Sequence, residues 1–286
     1  LAFASLVFIY RLGLRRLKQN VAPQNTTPPL APGALSDAEL DRYARHIVLR
    51  DIGGAGQKRL KQARVLVVGA GGLGSPVALY LAAAGVGTLG IIDDDTVEAS
   101  NLQRQIAHTD DSIGQPKVQS AADRIGALNP FVDVRTYHRA LTSDIATDLV
   151  QDYDVIVDGT DSYTARRAAN DAAVAAGIPL VSGALGSWDG QVTVFDPATT
   201  GGCYACLYPN APDATVDATC AATGVAAPLP GMIGSLMAVE VVKLITGAGH
   251  SLRGRMMLFD ALGAEARTLT LAQNAHCPVC GPKTKE

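Results

Sequence analysis

No excess of positive charge runs through this sequence. Its 24 Lys and Arg stand against 27 Asp and Glu, a formal net charge of -3, and no Lys/Arg stripe marks the body of the chain. A nucleic-acid surface therefore has no electrostatic footprint here. Charged residues are only 18% of the 286 positions while hydrophobic residues reach 48%, enough for the core of one large globular domain. Cysteine is sparse, at five. That excludes the dense disulfide framework of a small secreted domain, and four of the five fall in Cys-x-x-Cys pairs that suit metal in a reducing compartment. The cytoplasm is the expected location. There is no internal repeat and no Gly-x-x-x-x-Gly-Lys-Ser/Thr, so any ATP bound here is held without a Walker loop.

One strongly apolar run opens the chain, Leu1 to Tyr10, followed by Arg11, Arg15, Arg16 and Lys18. It falls short of the roughly 20 apolar residues a spanning helix needs, and its charges follow the run where a signal peptide places them before it. No stable membrane span is expected. The tail reads as a fragment of an upstream segment or a mis-set start, with a short interfacial anchor as the alternative. Gln19 to Pro32 is rich in Pro, Asn and Thr and reads as a linker. Residues 1–34 are thus set apart from a folded body at 35–286.

Ser36 and Glu39 form a capping box, which predicts a helix carrying Arg42, Arg45 and Ile47. A Gly-rich turn is expected over Gly53 to Gly56. Next comes a β-branched run, Arg64 to Val68, then Gly69-Ala70-Gly71-Gly72-Leu73-Gly74 and a helical stretch closing at Gly85. A second strand, Thr88 to Ile92, delivers Asp93, Asp94 and Asp95 at its C-terminal end. Further alternation is read as a helix near 116–127, strands near 132–137 and 155–158, and a helix near 162–176. This alternation predicts an α/β fold, a Rossmann-like, doubly wound, mostly parallel sheet. Beyond Pro179 the pattern changes to runs such as 191–195 and 256–260, with a helix near 233–246 between them. A mixed or antiparallel half, about 179–286, is expected to continue the nucleotide-binding half, about 35–178.

The glycine turn permits a tight bend and close backbone approach, and the following helix offers free N–H groups and a positive dipole end to phosphate. Asp93 falls where an acidic residue meets a ribose hydroxyl. That much serves NAD as well as ATP. Adenylylation also needs cations around a triphosphate and a carboxylate for magnesium. Ser100-Asn101-Leu102-Gln103-Arg104-Gln105 supplies an amide and a guanidinium. Lys117 falls in the first turn of a helix, where it opposes the dipole. Asp161 follows a strand, a position equally suited to a helix N-cap. Cys203-x-x-Cys206 and Cys277-x-x-Cys280 together suit a four-thiolate structural zinc site. Such a site contributes on the order of 10 kcal/mol to folding. Cys220 is left over, in a stretch with little periodicity.

These segments, from about Leu35 to Gly281, resemble in order and spacing the MoeB/ThiF/HesA family of ubiquitin-activating-enzyme-like proteins. The match takes in Arg42 to Arg45, Gly69 to Gly74, Asp93 to Asp95, Ser100 to Gln105, Gly114 to Lys117, Asp158 to Asp161, Gly190 to Phe195 and both cysteine pairs. The resemblance implies ATP-dependent adenylylation of the C-terminal carboxylate of a ubiquitin-like sulfur-carrier protein, in molybdenum cofactor or thiamine biosynthesis. It implies Gly72 and Asp93 on the adenosine, Asn101, Arg104 and Lys117 on the phosphates, Asp161 on magnesium, and Arg45 reaching the neighbouring site of a homodimer. In relatives a cysteine near Cys220 can link covalently to the carrier; an obligatory thioester is not expected in this branch. A sulfurtransferase domain beyond Cys280 is not expected either. The alternatives are an NAD(P)-dependent oxidoreductase, which leaves Arg104, Lys117 and the cysteine pairs without a task, and a catalytically silent, zinc-stabilised subunit of the same fold.

Overall fold

A computed structural model of the chain describes residues 33–199, 201–211 and 224–281. The capping box forms as the sequence predicts: the Ser36 side chain accepts from Glu39 N–H, and the Glu39 carboxylate accepts from Ser36 N–H at 2.9 Å. The helix it starts is shorter than expected. α1 (Asp37–Arg42) stops at Tyr43, and Arg45 lies on a separate short helix, α2 (Ala44–Ile47). The break turns the buried Tyr43 ring onto Gly85, where a Cβ would come within 2.5 Å of it.

The expected turn at Gly53 to Gly56 is instead the start of α3 (Gly53–Gln62). Tertiary packing overrides the low helix propensity of glycine here. A Cβ on Gly56 would lie 2.9 Å from Ile52 and 3.5 Å from Thr246, and the buried Gln57 amide donates to Ala84 O at 2.8 Å.

Then comes the βαβ unit: β1 (Arg64–Val68), α4 (Gly74–Ala84), closed by Gly85 in the left-handed conformation, and β2 (Thr88–Ile92). It is followed by α5 (Lys117–Leu128), β3 (Asp133–Tyr137), α6 (Ser143–Val150), β4 (Val155–Asp158) and α7 (Tyr163–Ala176). The second half holds β5 (Leu180–Leu185), β6 (Asp189–Phe195), the one-turn α8 (Tyr204–Leu207), α9 (Leu229–Thr246), β7 (Arg255–Asp260) and β8 (Glu265–Thr270). The sequence pattern did not disclose α6, α8, β5 or β8.

All the strands join one 8-stranded sheet in the order β3-β2-β1-β4-β5-β6-β7-β8. Pairing is parallel from β3 to β5 and antiparallel from β5 to β8. Both faces are covered at the centre of the sheet, which is why β1 reads as an unbroken apolar run. Val65 and Val67 enter a core with α4, α5 and α9, while Leu66 and Val68 enter another with α6 and α7. Helix α9 is apolar and long enough to cross a membrane. Its apolar side chains Leu229, Ile233, Met237 and Val241 are fully buried in the first of these cores. Succession along the chain runs outward from β1 to β3, then returns to β4 on the other side of β1. This reversal opens a crevice above the C-terminal ends of β1 and β4.

Candidate active site

The crevice has a volume of about 880 Å³, and its lining includes Gly72, Asp93, Asn101, Arg104, Lys117 and Asp161. Residues separated by as many as 89 positions along the chain thus share one cavity, and every candidate nucleotide residue except Arg45 is there.

The glycine turn forms the floor. Gly69 adopts φ +90°, and a Cβ on Gly74 would lie 1.8 Å from Gly69 O, so only glycine lets α4 seat this close to the turn. The N–H groups of Gly71, Gly72 and Leu73 make no hydrogen bond to any described residue. They head α4, whose dipole favours an anion at this end. Asp93 braces the turn, accepting from Ala70 N–H at 2.7 Å and from Asp95 N–H at 2.8 Å. Burial raises the Asp93 carboxyl above the usual carboxylate range, against the pull of those two hydrogen bonds and of Lys117.

Lys117 is the first residue of α5, and its side chain is only 7% exposed. Its ammonium donates to Asp95 Oδ2 at 2.7 Å, while the Asp95 side chain is 65% exposed. A phosphate entering the crevice therefore competes with a solvent-exposed carboxylate for a buried cation. Arg104 donates to Ser100 O at 3.3 Å, its one side-chain bond among the described residues, which leaves other guanidinium N–H groups to a ligand. Asp161 does not cap α7: Ser162 does, accepting from Ala165 N–H at 3.3 Å. The capping role weighed for Asp161 thus passes to its neighbour, and its exposed carboxylate lines the crevice. One such carboxylate with phosphate oxygens suits magnesium, which takes few protein ligands. A second acidic group, Asp93, Asp94 and Asp95, brings carboxylate oxygens within 4.8 Å of one another.

Arg45 is exposed on α2, makes no ion pair or hydrogen bond to another described residue, and does not line the crevice. Cys220 lies outside the described residues, as do residues 1–32.

Sequence reasoning missed Arg166, which is buried in the crevice wall. It pairs with Asp158 at 3.4 Å, donates to Gly183 O at 2.9 Å and also bonds Thr160 O. It thereby ties the loop carrying Asp161 to β5. An arginine within a helix sends no signal of such burial. Also missed were the tyrosines of the first cysteine pair: Tyr204 and Tyr208 line the crevice, their ring centroids 4.8 Å apart. Gln191 donates to Tyr208 Oη at 3.2 Å.

The four cysteines converge. Their sulfurs all lie within 4.8 Å of one another, with Cys203 to Cys277 at 3.7 Å and Cys206 to Cys280 at 3.4 Å. A zinc–thiolate tetrahedron with bonds of about 2.3 Å has edges of about 3.8 Å, so the donor set fits zinc. Burial, with neighbouring thiols, pushes the Cys203 thiol up. Against its burial, the Cys277 thiol is instead brought down to about 7 by the backbone N–H groups of Cys280 and Val279 and the hydrogen bonds with Cys206 and Cys203.

The sequence matches the ThiF family over residues 43–279. It is 49% identical over 247 residues to the sulfur carrier protein adenylyltransferase of Thermus thermophilus, covering 85% of this chain and 91% of that one. To the probable adenylyltransferase/sulfurtransferase MoeZ of Mycobacterium tuberculosis it is 47% identical over 256 residues, covering 88% of this chain and 65% of MoeZ. It therefore spans less than two thirds of that relative. Among solved structures, selenomethionine PaaA is similar with a TM-score of 0.73 at 26% identity, over 96% of this chain and 87% of that one.

Proposed function

The chain belongs to the ThiF family, and from that membership we propose that it is an ATP-dependent adenylyltransferase acting on the C-terminal carboxylate of a ubiquitin-like sulfur-carrier protein. The observation that carries this reading is the crevice itself. Free N–H groups at the head of α4, the Arg104 guanidinium, the Lys117 ammonium and the Asp161 carboxylate line one cavity. Hydride transfer to a dinucleotide gives that set no task, and the relatives offer the oxidoreductase alternative no support.

The proposed reaction is in-line attack by the carrier carboxylate on the α-phosphorus of ATP. A carboxylate–phosphorus bond forms, the bond to the bridging oxygen breaks, and pyrophosphate leaves. The nucleophile is already an anion, so no general base is required. The protein holds two negative reactants together and answers the charge that develops. Gly71, Gly72 and Leu73 N–H groups with Lys117, Asn101 and Arg104 bind the phosphates, and Asp93 faces the ribose. Asp161 holds magnesium, which supplies further neutralisation of the triphosphate. Arg45 is assigned to the partner's crevice in a homodimer, as the family resemblance implies; it is exposed and pairs with none of the described residues. The four cysteines hold a structural zinc. The reaction is placed in the cytoplasm, where ATP and reduced thiols coexist, with carriers of molybdenum cofactor or thiamine synthesis as substrates.

The test offers purified candidate carriers one at a time with ATP and magnesium, following pyrophosphate exchange and carrier mass. A gain of adenylate mass on one carrier identifies both reaction and pathway. Lys117→Ala and Asp161→Ala are each expected to lose about 10² to 10³ in turnover with the fold intact. Near-normal turnover in either variant removes that residue from the site, and NADH oxidation without exchange would favour a dehydrogenase.

A further inference from the structure

His108 is buried beneath the crevice, 6% exposed, and lies outside the lining residues. Its Nε2 is 2.9 Å from Ala70 O and its Nδ1 is 2.9 Å from Ser120 Oγ. Its own N–H donates to Gln105 O at 3.1 Å. The imidazole therefore touches the glycine turn through Ala70 and the helix of Lys117 through Ser120, while the backbone of the same residue holds the loop of Arg104 through Gln105. Ala70 is held on both sides, its N–H donating to Asp93 at 2.7 Å and its carbonyl accepting from the Ser75 hydroxyl at 3.3 Å besides the imidazole. The next residues, Gly71 and Gly72, carry the unpaired N–H groups.

We propose that His108 is a positioning residue for nucleotide binding, fixing the Ala70–Gly71 peptide so that the free N–H groups of the turn face the phosphates. The inference rests on the nucleotide reading of the crevice and adds to it a residue that never meets the ligand. The geometry dictates the tautomer. Ala70 O only accepts, so Nε2 carries the proton and Nδ1 accepts from the Ser120 hydroxyl. Burial lowers the imidazole's affinity for a second proton, and the Lys117 ammonium nearby lowers it further, against the hydrogen bond to Ala70 and the Asp93 charge. A neutral ring suits this donor-and-acceptor pair.

The tautomer gives a test that needs no variant: ¹⁵N NMR of the full chain is expected to show His108 protonated at Nε2. Protonation at Nδ1 alone would overturn the proposal, because such a ring cannot donate to Ala70. Two substitutions then divide the contacts. In His108→Gln the side-chain amide reaches the place of Nε2 and keeps the donation to Ala70 O. In His108→Asn it reaches only the place of Nδ1 and keeps Ser120. ATP affinity is expected within about 3-fold of the parent for H108Q and at least about 10-fold weaker for H108N, with carrier affinity unchanged in both. Equal losses in the two variants, or none in H108N, would sink the positioning role. Amide relaxation of Gly71 and Gly72 without nucleotide separates this failure from failure of the ATP reading. Mobile glycines in H108N and ordered ones in H108Q uphold the role even if no ATP binds, and equal order overturns it.

Discussion

His108 also has a consequence for stability. Its pKa is lowered in the folded chain, chiefly by burial, with Lys117 adding to the effect and Asp93 and the Ala70 hydrogen bond opposing it. The unfolded chain takes up that proton near pH 6.5. Below that value the unfolded state binds more protons than the folded state, so this contribution is fully present above about pH 6.5 and is lost as the pH falls. Glutamine at 108 does not titrate. Urea denaturation at about pH 7, 6 and 5 is expected to show the stability of the natural chain approaching that of H108Q as the pH drops. A gap that stays constant would mean the imidazole is not held neutral. Lys117 shows how far the sequence goes at this scale. Its place in the first turn of a helix was legible from Gly114-Gln115-Pro116-Lys117, and so was the oddity of a cation there. Its burial and its pairing with Asp95, 22 positions away, came only from the antiparallel bridge of Thr96 with Pro116 and the Lys117 N–H bond to Asp95 O at 2.9 Å, which set the segment after β2 beside the head of α5. Arg166 and His108 were not legible, because nothing local distinguishes a buried hydrogen-bonded arginine or histidine from a solvated one.

At the scale of elements, two glycines in helices make opposite demands. Gly74, first in α4, has no room for a Cβ against Gly69 O, whereas a Cβ on Gly126 in α5 meets nothing within 4 Å. Gly74→Ala must push α4 away from the turn, and is expected to cost about 3 kcal/mol with loss of nucleotide binding. Gly126→Ala removes only unfolded-chain freedom and is expected to stabilise by up to about 1 kcal/mol. Denaturant titration measures both, and a destabilised G126A or a tolerated G74A would contradict the packing described. The cysteine knuckle is likewise an element with a reach: α8, which Cys203 precedes and which contains Cys206, sets Tyr204 into the crevice wall, and Tyr208 follows. Chelating the proposed zinc, or replacing Cys277 with serine, is expected to lower stability by several kcal/mol, on the scale of about 10 for complete loss of such a site. A protein that contains no zinc by metal analysis yet melts normally would refute the structural role. The strands of the first half and the cap of α1 were readable because period, β-branching and capping are local signals. The helix at Gly53 was not, because the bonds that dock it, Gln57 to Ala84 O and Arg59 to Ile245 O, join it to backbone distant in the sequence.

For the whole molecule the open question is how many chains make one site. Arg45 stands exposed outside its own crevice, and the proposed homodimer assigns it to the partner's. Arg45→Ala and Lys117→Ala are each expected to be inactive alone. If the arginine acts in trans, mixing the two lets half the molecules form mixed dimers with one intact site of two, restoring about a quarter of full activity. No recovery on mixing would mean that Arg45 serves its own chain or none. The sheet accounts for the division of labour across the fold. Its parallel part places helix heads and strand ends around one crevice, while its antiparallel extension ends in β8, whose residues are all exposed and whose charges include the Glu265–Arg267 ion pair. Charge of this kind on an edge strand discourages pairing with another sheet.

The amino-acid order alone determined the alternation of strands and helices, the glycine turn, the cysteine spacing and the identities of the cations and carboxylates. These depend on residue type and separations of a few positions. Only the tertiary structure decided that Lys117 is buried, that Ser162 rather than Asp161 caps α7, and that a histidine grips the turn from below. Those facts depend on which distant backbone arrives at the same place, and that is fixed by packing both faces of one sheet.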